Sequence, residues 1–532
     1  MTSIKVDLVY STVHKIINLT DLNIYNDIHK QHKFRKQTVL ADKSLTKDEK
    51  TEAIKVLNKN YDQFKVRDNS GTKRICENCN QECLATLYCE YCLRNYLKTN
   101  FSNWTSGNDD IDNLIRKCQM ETLIPSMIVE WIPYNNLENI KYLTKGGCSE
   151  IYTADWIDGK YEVWNYKRQQ LERFGGHKVI LKRLENVENA SHHWLEEAKS
   201  HLNISNKWTN IVQCYGLTQD SSNGDYMLVM DEKNLNLREY LQQNHNKLIW
   251  KERIGITFEM INALFEIHYE KAIHRDLHSG NILYSLRSNR WFISDLGFCG
   301  PADKPSTSIY GNLPYIAPEV IAGKKYTFAS DIYSIAILMW EISSGQPPFI
   351  NYEYDYDLVT NIINGMRPKI VSGTPLEYKS LIEQCWDANP LKRPDIEINR
   401  DGNIETNYTS SRLFISKVYQ FENLPEPKNA TEEEQEAFHS KPYNYEIPDN
   451  IDDFNKSSFE DNVENDSSNA FNEPQVSSKN DVQINYNEMI IPRQIKKHYV
   501  DTDDEILNNP NFHSEEQDEF EIPDGKKKKI FS

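Results

Sequence analysis

The octapeptide HRDLHSGN, residues 274–281, limits what this chain can fold into more than any other stretch. It places Asp276 five residues before Asn281, and the tetrapeptide SDLG then supplies Asp295. A carboxylate can orient an attacking hydroxyl group, and carboxylate and amide oxygens are ligands that Mg²⁺ prefers. The spacing therefore predicts a phosphoryl-transfer loop, with Asp276 as the catalytic carboxylate and Asn281 and Asp295 as Mg²⁺ ligands.

Residues that could hold a nucleotide come earlier in the chain. The segment LTKGGCSEIY, 143–152, is typical of a strand–loop–strand turn over phosphates. Lys182 ends the strand-like run VILK, from which its ammonium group can reach the α and β phosphates. Glu197 lies on a predicted helix and can form an ion pair with Lys182, so both are predicted to be catalytic.

In this order and spacing, the residues resemble those of the protein kinase family over roughly half of the chain. The matching motifs are HRD-xxxx-N at 274–281, DLG at 295–297 in place of the family's DFG, APE at 317–319 and VxxK ending at Lys182. Each motif alone is weak, because an Asp before a Gly is usually a turn and a lone strand Lys is usually solvated. Their common order is not explained by ordinary turns and strands.

More distant features strengthen the resemblance. Asp331 in SDIYS resembles the helix residue that supports the catalytic loop, and Arg393 resembles the partner of the APE glutamate, here Glu319. The segments DIYSIAILMWEI and CW…RP resemble the tyrosine-kinase-like group within the family.

The resemblance implies an α+β, two-lobed protein kinase fold, with a small antiparallel β lobe carrying one helix and a larger helical lobe. ATP and Mg²⁺ would bind between the lobes. Only one glycine of the family's phosphate-covering loop remains, and hydroxyl groups replace the others. The family's nucleotide-binding positions correspond to Thr144, Gly146, Ser149 and Ile151 in that loop, to Met230 as the gatekeeper, and to Asp231 to Lys233 as the hinge facing adenine.

His278 stands where the family's serine/threonine kinases usually carry a catalytic Lys, and we include it among the predicted catalytic residues. The resemblance pairs it with Asn312, and Tyr315 sits where those kinases often have an aromatic residue. The implied acceptors are the Ser and Thr hydroxyls of a protein, with tyrosine or dual specificity as the alternative. A histidine ordinarily titrates near neutrality, so we expect His278 to help more when it is charged. The alternative is that it only packs against the loop.

Four hydroxyl groups between DLG and APE could be phosphorylated, those of Ser306, Thr307, Ser308 and Tyr310. Arg275 precedes the catalytic Asp276, an arrangement in which a phosphate on this loop could pair with the arginine. An upstream kinase or the protein itself would add the phosphate. The alternative is that these are ordinary polar loop residues.

The segment CENCNQECLATLYCEYC contains two CxxC pairs, Cys76 with Cys79 and Cys89 with Cys92. Each CxxC turn can present two thiolates to one tetrahedral metal ion, so the pairs predict a structural Zn²⁺ site. Cys83 lies between the pairs and is not predicted to be a ligand. Unliganded thiols are the alternative.

Composition changes along the chain predict six segments. After the kinase-like region the sequence is rich in Asn, Asp, Glu and Ser and cannot bury enough apolar surface to fold. The predicted segments are a helical part at 1–70 whose helix starts with a capping box of Thr46 and Glu49, a zinc-knuckle-like part at 71–100, a linker at 101–136, the kinase domain at 137–400, an uncertain extension at 401–424 and a disordered acidic tail at 425–532.

The net charge of −18 argues against general nucleic-acid binding, which needs a basic face. No apolar run is long enough to span a membrane, and the first residues do not form a signal peptide. We therefore expect an intracellular, cytoplasmic protein with reduced cysteines.

Three functions compete. The first is an active protein kinase in intracellular signalling, and the second is a pseudokinase-like scaffold that binds partners. Phosphoryl transfer requires five side chains, and pseudokinases typically lose at least one of them. All five are present here, which favours the enzyme; they are Lys182, Glu197, Asp276, Asn281 and Asp295. An adaptor that binds nucleic acid through its cysteines is poorly supported, because that segment is partly acidic and apolar. A turnover assay separates the first two.

Overall fold

The computed structural model of the protein describes residues 5–21, 24–145, 149–184, 193–297, 300–301, 309–395, 417–419 and 424–439. Within these ranges, no helix combines the length and the apolar character needed to cross a membrane. The α-helices are α1 Val6–Asn18, α2 Ile28–Ala41, α3 Lys47–Asp68, α4 Glu90–Thr99, α5 Asp109–Glu121, α6 His193–Ser205, α7 Leu237–Asn244, α8 Trp250–Tyr269, α9 Pro318–Ile321, α10 Phe328–Ser344, α11 Tyr356–Ile363, α12 Leu376–Cys385 and α13 Glu432–His439.

The strands belong to several small sheets and one larger sheet. They are β1 Arg74–Ile75, β2 Glu82–Cys83, β3 Glu130–Trp131, β4 Leu137–Lys145, β5 Glu150–Trp156, β6 Tyr161–Asn165, β7 Gln170–Arg173, β8 His177–Arg183, β9 Cys214–Gln219, β10 Tyr226–Asp231, β11 Leu235–Asn236, β12 Ala272–Ile273, β13 Ile282–Ser285, β14 Arg290–Ile293, β15 Gly300–Pro301, β16 Ile309–Gly311 and β17 Lys417–Tyr419.

The N-terminal helices pack on one another and reach the rest of the chain through α3. This helix begins with the predicted capping box, in which Thr46 accepts from the Glu49 N–H and the Glu49 carboxylate accepts from the Thr46 N–H at 2.9 Å. Near its other end, Gln63 Nε2 donates to the carbonyl of Lys207 at 3.2 Å, and the Arg67 guanidinium lies 4.7 Å from the Trp208 ring. α3 therefore contacts the loop that follows α6.

The six-stranded sheet has the order β3-β9-β10-β8-β5-β4 and, with α6, forms the small lobe. Its strands pair antiparallel except that β3 runs parallel to β9. The β5–β8 register places Lys182 opposite Ile151, and the β8–β10 register places it opposite Leu228. The small β lobe with its helix confirms that part of the predicted fold.

The segment predicted as a linker, 101–136, differs from that prediction, since it contains α5 and the sheet strand β3. The N-terminal cap of α5 is Asn108, whose side chain accepts from Asp110 and Ile111 N–H groups. The buried side of α5 joins one core with α6 and the sheet, because its apolar residues recur at helical spacing. These residues are Ile111, Leu114, Ile115 and Cys118, and their neighbours on α6 are Leu195, Ala198 and Leu202.

The larger lobe is built around α8 and α10 and confirms the predicted helical lobe. α10 is buried from Ser330 to Ser343, so it forms the centre of this core. It ends at Gly345, which has φ +72°, and a side chain there would collide with the His245 ring. A glycine is needed at this turn for both reasons.

Residues 425–439 belong to the segment predicted as a disordered tail from 425 onward, and this part of the prediction is wrong. α13 packs through Phe438 on the large-lobe core, as does Leu424 before it, and Lys428 N–H donates to the Ile363 carbonyl at 2.9 Å. These two half-buried side chains and the hydrogen bond from Lys428 attach this segment to the large lobe, which its composition did not indicate. The rest of the predicted tail, and residues 396–416, lie outside the described residues.

Candidate active site

Lys182 of β8 forms two ion pairs in the cleft between the lobes. Its Nζ lies 2.8 Å from Glu197 Oε1 on α6 and 2.6 Å from Asp295 Oδ1. Burial opposes the charge on Lys182, but the two carboxylates outweigh it and raise the pKa of Lys182. Burial likewise acts to raise the pKa of Asp295, yet the Lys182 ammonium holds it below its usual range. The ion pair predicted between Lys182 and Glu197 is present, and Asp295 shares it.

The loop that carries Asp276 is held from beneath by α10. Asp331 accepts the backbone N–H groups of His274 at 2.8 Å and Arg275 at 3.0 Å, which is the contact predicted for it. Arg275 has φ +71° and Asp295 has φ +55°, a backbone region that costs free energy for non-glycine residues. The Asp331 bonds help to hold the loop in this strained conformation.

Asn281 connects the two halves of the predicted metal site. Its Nδ2 donates to the Asp276 carbonyl at 2.8 Å, and its own carbonyl accepts from Ser294 N–H at 2.9 Å, next to Asp295. The side-chain bond uses the amide donor and leaves Oδ1 as an oxygen of the kind that Mg²⁺ prefers. Lys182, Glu197 and Asp295 together carry one net negative charge, which also suits a bound cation.

Gly297 lets the two carboxylates come close to each other. A Cβ atom on this residue would lie 2.9 Å from Glu197 Oε1 and 3.0 Å from Asp295 Oδ1, closer than real Cβ contacts allow. The absence of a side chain in the DLG motif is therefore a local requirement of the arrangement around Lys182.

Of the predicted nucleotide residues, Thr144, Ile151 and Met230 lie on strands of the six-stranded sheet. Thr144 pairs with Ile151 across β4 and β5, and Ser149 is buried. Gly146 lies outside the described residues. Met230 is buried near the end of β10.

The predicted hinge starts where β10 ends. Asp231 forms an ion pair of 2.5 Å with Lys233 and accepts from the Tyr215 hydroxyl at 2.7 Å. Burial acts to raise the pKa of Asp231, but Lys233 outweighs it and the pKa is lowered. Both hinge side chains therefore hold fixed partners.

His278 does not titrate where the sequence predicted. The imidazole is buried, and burial lowers its pKa to about 4 despite the opposing charge of Asp295. Its Nδ1 accepts from Gly280 N–H at 3.1 Å, so the neutral ring carries its proton on Nε2, which lies 3.8 Å from Asp276 Oδ2. The expectation that His278 titrates near neutrality is wrong, because burial disfavours the imidazolium.

The predicted partner of the APE glutamate is also in contact. Arg393 forms two hydrogen bonds of 2.7 Å with Glu319. Tyr315 is buried beside the loop, where its hydroxyl donates to Glu341 at 2.6 Å.

The predicted phosphorylation segment is described only in part. Ser306, Thr307 and Ser308 lie outside the described residues, and Tyr310 belongs to β16. β16 pairs with β17, whose Lys417 lies opposite Gly311.

Sequence reasoning missed His201. It lies on α6 one helical turn after Glu197, is fully buried, and can approach both Glu197 and Asp295. The signal was the i, i+4 spacing in EEAKSH, which puts both side chains on one face of a helix.

The four predicted cysteines form a cluster next to the small lobe. Cys76 follows β1, Cys79 lies in the turn, and Cys89 and Cys92 are at the start of α4. Their sulfurs all lie within 4.8 Å of one another. The Sγ–Sγ distance is 3.7 Å for the first and last cysteines and 3.6 Å for the middle two. A tetrahedral Zn²⁺ with Zn–S bonds of about 2.3 Å places its sulfurs about 3.8 Å apart, so the thiols fit the ion.

Comparison with known proteins places the kinase motifs in a family. Residues 137–401 match the family described as protein tyrosine and serine/threonine kinase. The chain is 28% identical over 306 residues to the probable serine/threonine-protein kinase roco5 of Dictyostelium discoideum, covering 53% of this chain and 10% of that protein.

Two other relatives carry both specificities in their names. The dual serine/threonine and tyrosine protein kinase of Pimephales promelas is 31% identical, covering 35% of this chain and 21% of its own length. The dual specificity protein kinase zakA of Dictyostelium discoideum is 30% identical, covering 34% of this chain and 26% of its own length. The chain thus spans about a quarter or less of the length of these relatives. The match, the two lobes and the motif order together identify residues 137–401 as a protein kinase domain of the tyrosine and serine/threonine kinase family.

Proposed function

We propose that the protein is an active protein kinase that transfers the γ-phosphate of ATP to Ser and Thr hydroxyls of protein substrates in intracellular signalling. The observation that carries this proposal is the pair of contacts from Lys182 Nζ, 2.8 Å to Glu197 and 2.6 Å to Asp295. Phosphoryl transfer by this family requires an ion pair between the Lys and the Glu, and it requires the metal-binding Asp to lie in position to hold Mg²⁺.

Each predicted residue then has one task. Glu197 orients Lys182, whose ammonium holds the α and β phosphates, and Asn281 and Asp295 hold Mg²⁺. ATP with Mg²⁺, when bound, supplies the phosphoryl group and neutralises its charge. Asp276 orients the substrate hydroxyl and accepts its proton as the new P–O bond forms and the bond to the ADP oxygen breaks.

The nucleotide itself would lie against the small-lobe strands. We assign Thr144, Gly146, Ser149 and Ile151 to the phosphate end, where hydroxyl groups replace two of the family's glycines. Met230, Asp231 and Lys233 would face adenine; the buried position of Met230 and the fixed side chains of the other two support a preformed pocket.

Ser and Thr acceptors are favoured over Tyr by Tyr315 and by the names of the relatives, which are serine/threonine or dual-specificity kinases. The sequence segments around α10 and α12 support the tyrosine-kinase-like group. Dual or tyrosine specificity is the alternative, and phosphoamino-acid analysis of the product separates them.

We further propose that Cys76, Cys79, Cys89 and Cys92 bind a structural Zn²⁺ ion. Their near-tetrahedral sulfur spacing supports this, and Asn78 Nδ2 lies 3.4 Å from Cys92 Sγ, where it can donate to a thiolate. Phosphorylation among Ser306, Thr307, Ser308 and Tyr310, by an upstream kinase or by the protein itself, is proposed to activate the enzyme by adding a phosphate that pairs with Arg275.

The test is phosphate transfer from radiolabelled ATP with Mg²⁺, to a mixed protein substrate and to the protein itself. Asp276→Asn removes the proton acceptor and should reduce the rate by about 10²–10⁴-fold, as loss of a general base does. Asp220→Asn, in the turn between β9 and β10, is the matched control and should keep the activity, because this carboxylate accepts from the Ser222 N–H and the Tyr134 hydroxyl, which have no role in the proposed reaction. Equal transfer by the wild type and Asp276→Asn would favour the scaffold instead.

A further inference from the structure

His201 is a buried histidine whose two ring nitrogens have no hydrogen-bond partner among the described residues. It lies on α6 at the level of Lys182, Glu197 and Asp295. A neutral imidazole has one ring nitrogen with a free lone pair, and neither nitrogen of His201 is used in a hydrogen bond among the described residues. A buried polar group without a partner is unfavourable, and a leucine would fill the same space at lower cost.

Two carboxylates face this imidazole. One nitrogen of His201 and one oxygen each of Glu197 and Asp295 all lie within 4.8 Å of one another. In a tetrahedral site with bonds of about 2.1 Å, the ligand atoms lie about 3.4 Å apart, so side-chain rotations that bring these three atoms closer together would place them on one ion. The two carboxylates already converge, because Gly297 leaves the space between them open.

The charge of the cluster also favours a cation. Lys182 is the ammonium group in contact with Glu197 and Asp295, and it leaves one negative charge of the pair uncompensated. A neutral imidazole with two carboxylates suits Zn²⁺, whereas Mg²⁺ prefers oxygen ligands alone.

We propose that Glu197, His201 and Asp295 form a second Zn²⁺ site that is filled when the nucleotide is absent, with water as the fourth ligand. Zinc would take over the carboxylate oxygens that Lys182 holds in the described structure. Because the same residues serve Lys182 and Mg²⁺ in the proposed function, zinc and MgATP would exclude each other and zinc would inhibit the kinase. The inhibition rests on the proposed function, but the binding does not.

The binding test is equilibrium dialysis of the full-length protein against buffered Zn²⁺, without nucleotide. The wild type should bind two zinc ions per chain, and His201→Leu should bind one, retained by the cysteines. His177→Leu is the matched control, since His177 Nε2 is also buried without a hydrogen-bond partner but belongs to no described group of metal-binding side chains. It should still bind two.

X-ray absorption at the zinc edge measures the types and distances of the zinc ligands in the wild type, without any variant. The second equivalent should add nitrogen and oxygen ligands at about 2.0–2.1 Å to the sulfur shell at about 2.3 Å. A wild-type zinc shell of sulfur alone, without nitrogen and oxygen ligands at about 2.0–2.1 Å, or a second equivalent that persists in His201→Leu, would overturn the proposal. This holds even if His201→Leu folds poorly, because the wild-type stoichiometry and ligand shell are read directly.

Competition links the site to nucleotide binding. Saturating MgATP should remove the second zinc from the wild type, and added zinc should lower wild-type activity at least tenfold relative to its zinc-buffered rate. If the second zinc is lost in His201→Leu but is unaffected by MgATP, the zinc site stands and the proposed nucleotide site fails. If zinc inhibits the wild type and His201→Leu equally, the inhibition does not come from this site, and the argument that zinc and MgATP compete for the same residues is overturned.

Discussion

Arg393 donates two hydrogen bonds of 2.7 Å to the two carboxylate oxygens of Glu319, and both side chains are buried. The pair ties α9, which follows the loop between DLG and APE, to the chain beyond α12. Removing one member leaves the other charge buried without its partner, which is more damaging than removing both.

We therefore expect Arg393→Ala to lower the free energy of unfolding by about 3–5 kcal/mol. Replacing both residues with uncharged ones of similar volume, Glu319→Gln with Arg393→Met, should cost less than the single change. Urea unfolding of the three proteins measures this. A double variant less stable than Arg393→Ala would contradict the argument.

Ile115 of α5 is fully buried in the core that α5 shares with α6, the helix that carries Glu197. Ile115→Ala should cost about 2–5 kcal/mol of stability and also loosen the Lys182–Glu197 pair. We expect a lower kcat at a temperature where the variant is still folded. Ile362→Ala in α11 is the control, because Ile362 is equally buried but belongs to the large-lobe core. Equal kcat in the two folded variants would show that α5 does not position Glu197.

The cysteine cluster packs against Trp164 and Leu171 in the hairpin of β6 and β7. Loss of its metal should therefore destabilise the packing of this hairpin as well. Cys79→Ser should abolish the zinc equivalent that stays bound in the presence of MgATP, and should lower the melting temperature. Cys385→Ser, which removes a single buried thiol from α12, should retain the metal. Full zinc retention by Cys79→Ser would rule out the four-cysteine site.

The burial of His278 predicts that the stability of the protein, rather than its activity near neutral pH, depends on the protonation of this histidine. The folded pKa of about 4 is below the ordinary value of 6.5, so the unfolded chain binds more protons than the folded one between these pH values. The stability contributed by this histidine is complete above about pH 6.5 and is lost as the pH falls towards 4, by about 1.4 kcal/mol per pH unit.

His278→Gln should therefore flatten the acid limb of the stability curve and leave the pH–rate profile between pH 6 and 8 unchanged in shape. Denaturant titrations at several pH values and steady-state rates test the two halves. A rate inflection near pH 7 that disappears in the variant would contradict the buried, neutral imidazole.

Several residues that were predicted from the spacing within motifs are in contact with one another in the structure. The Lys182–Glu197 pair, the support from Asp331 and the clustering of the cysteines follow from motifs whose spacing is set by chemistry. The helical periodicity of Ile111, Leu114, Ile115 and Cys118 was equally visible, but a short polar segment was interpreted as a linker.

What the sequence could not provide was the environment of each side chain. The pKa of His278 and the missing partners of His201 depend on burial by residues distant in the chain, which spacing does not reveal. The same holds for 424–439, where Leu424 and Phe438 are half-buried against a surface of the large lobe that lies far away in the sequence.

The last prediction concerns the strand that pairs beside the catalytic carboxylate. β17 pairs with β16, and the end of β16 is close to Asp276, since a Cβ on Gly311 would lie 3.2 Å from Asp276 Oδ1. A protein substrate must bring its hydroxyl to Asp276, and an extended segment could pair with β16 only after β17 leaves. Val418 lies opposite Tyr310 in this ladder. Proline has no N–H and cannot donate to a ladder, so Val418→Pro should weaken the pairing by about 1–3 kcal/mol and raise kcat/KM for an added protein substrate several-fold. Val418→Ile keeps the N–H and should behave as the wild type. A kcat/KM that is unchanged or lower in Val418→Pro, with an unaltered KM for ATP, would show that β17 does not compete with the substrate.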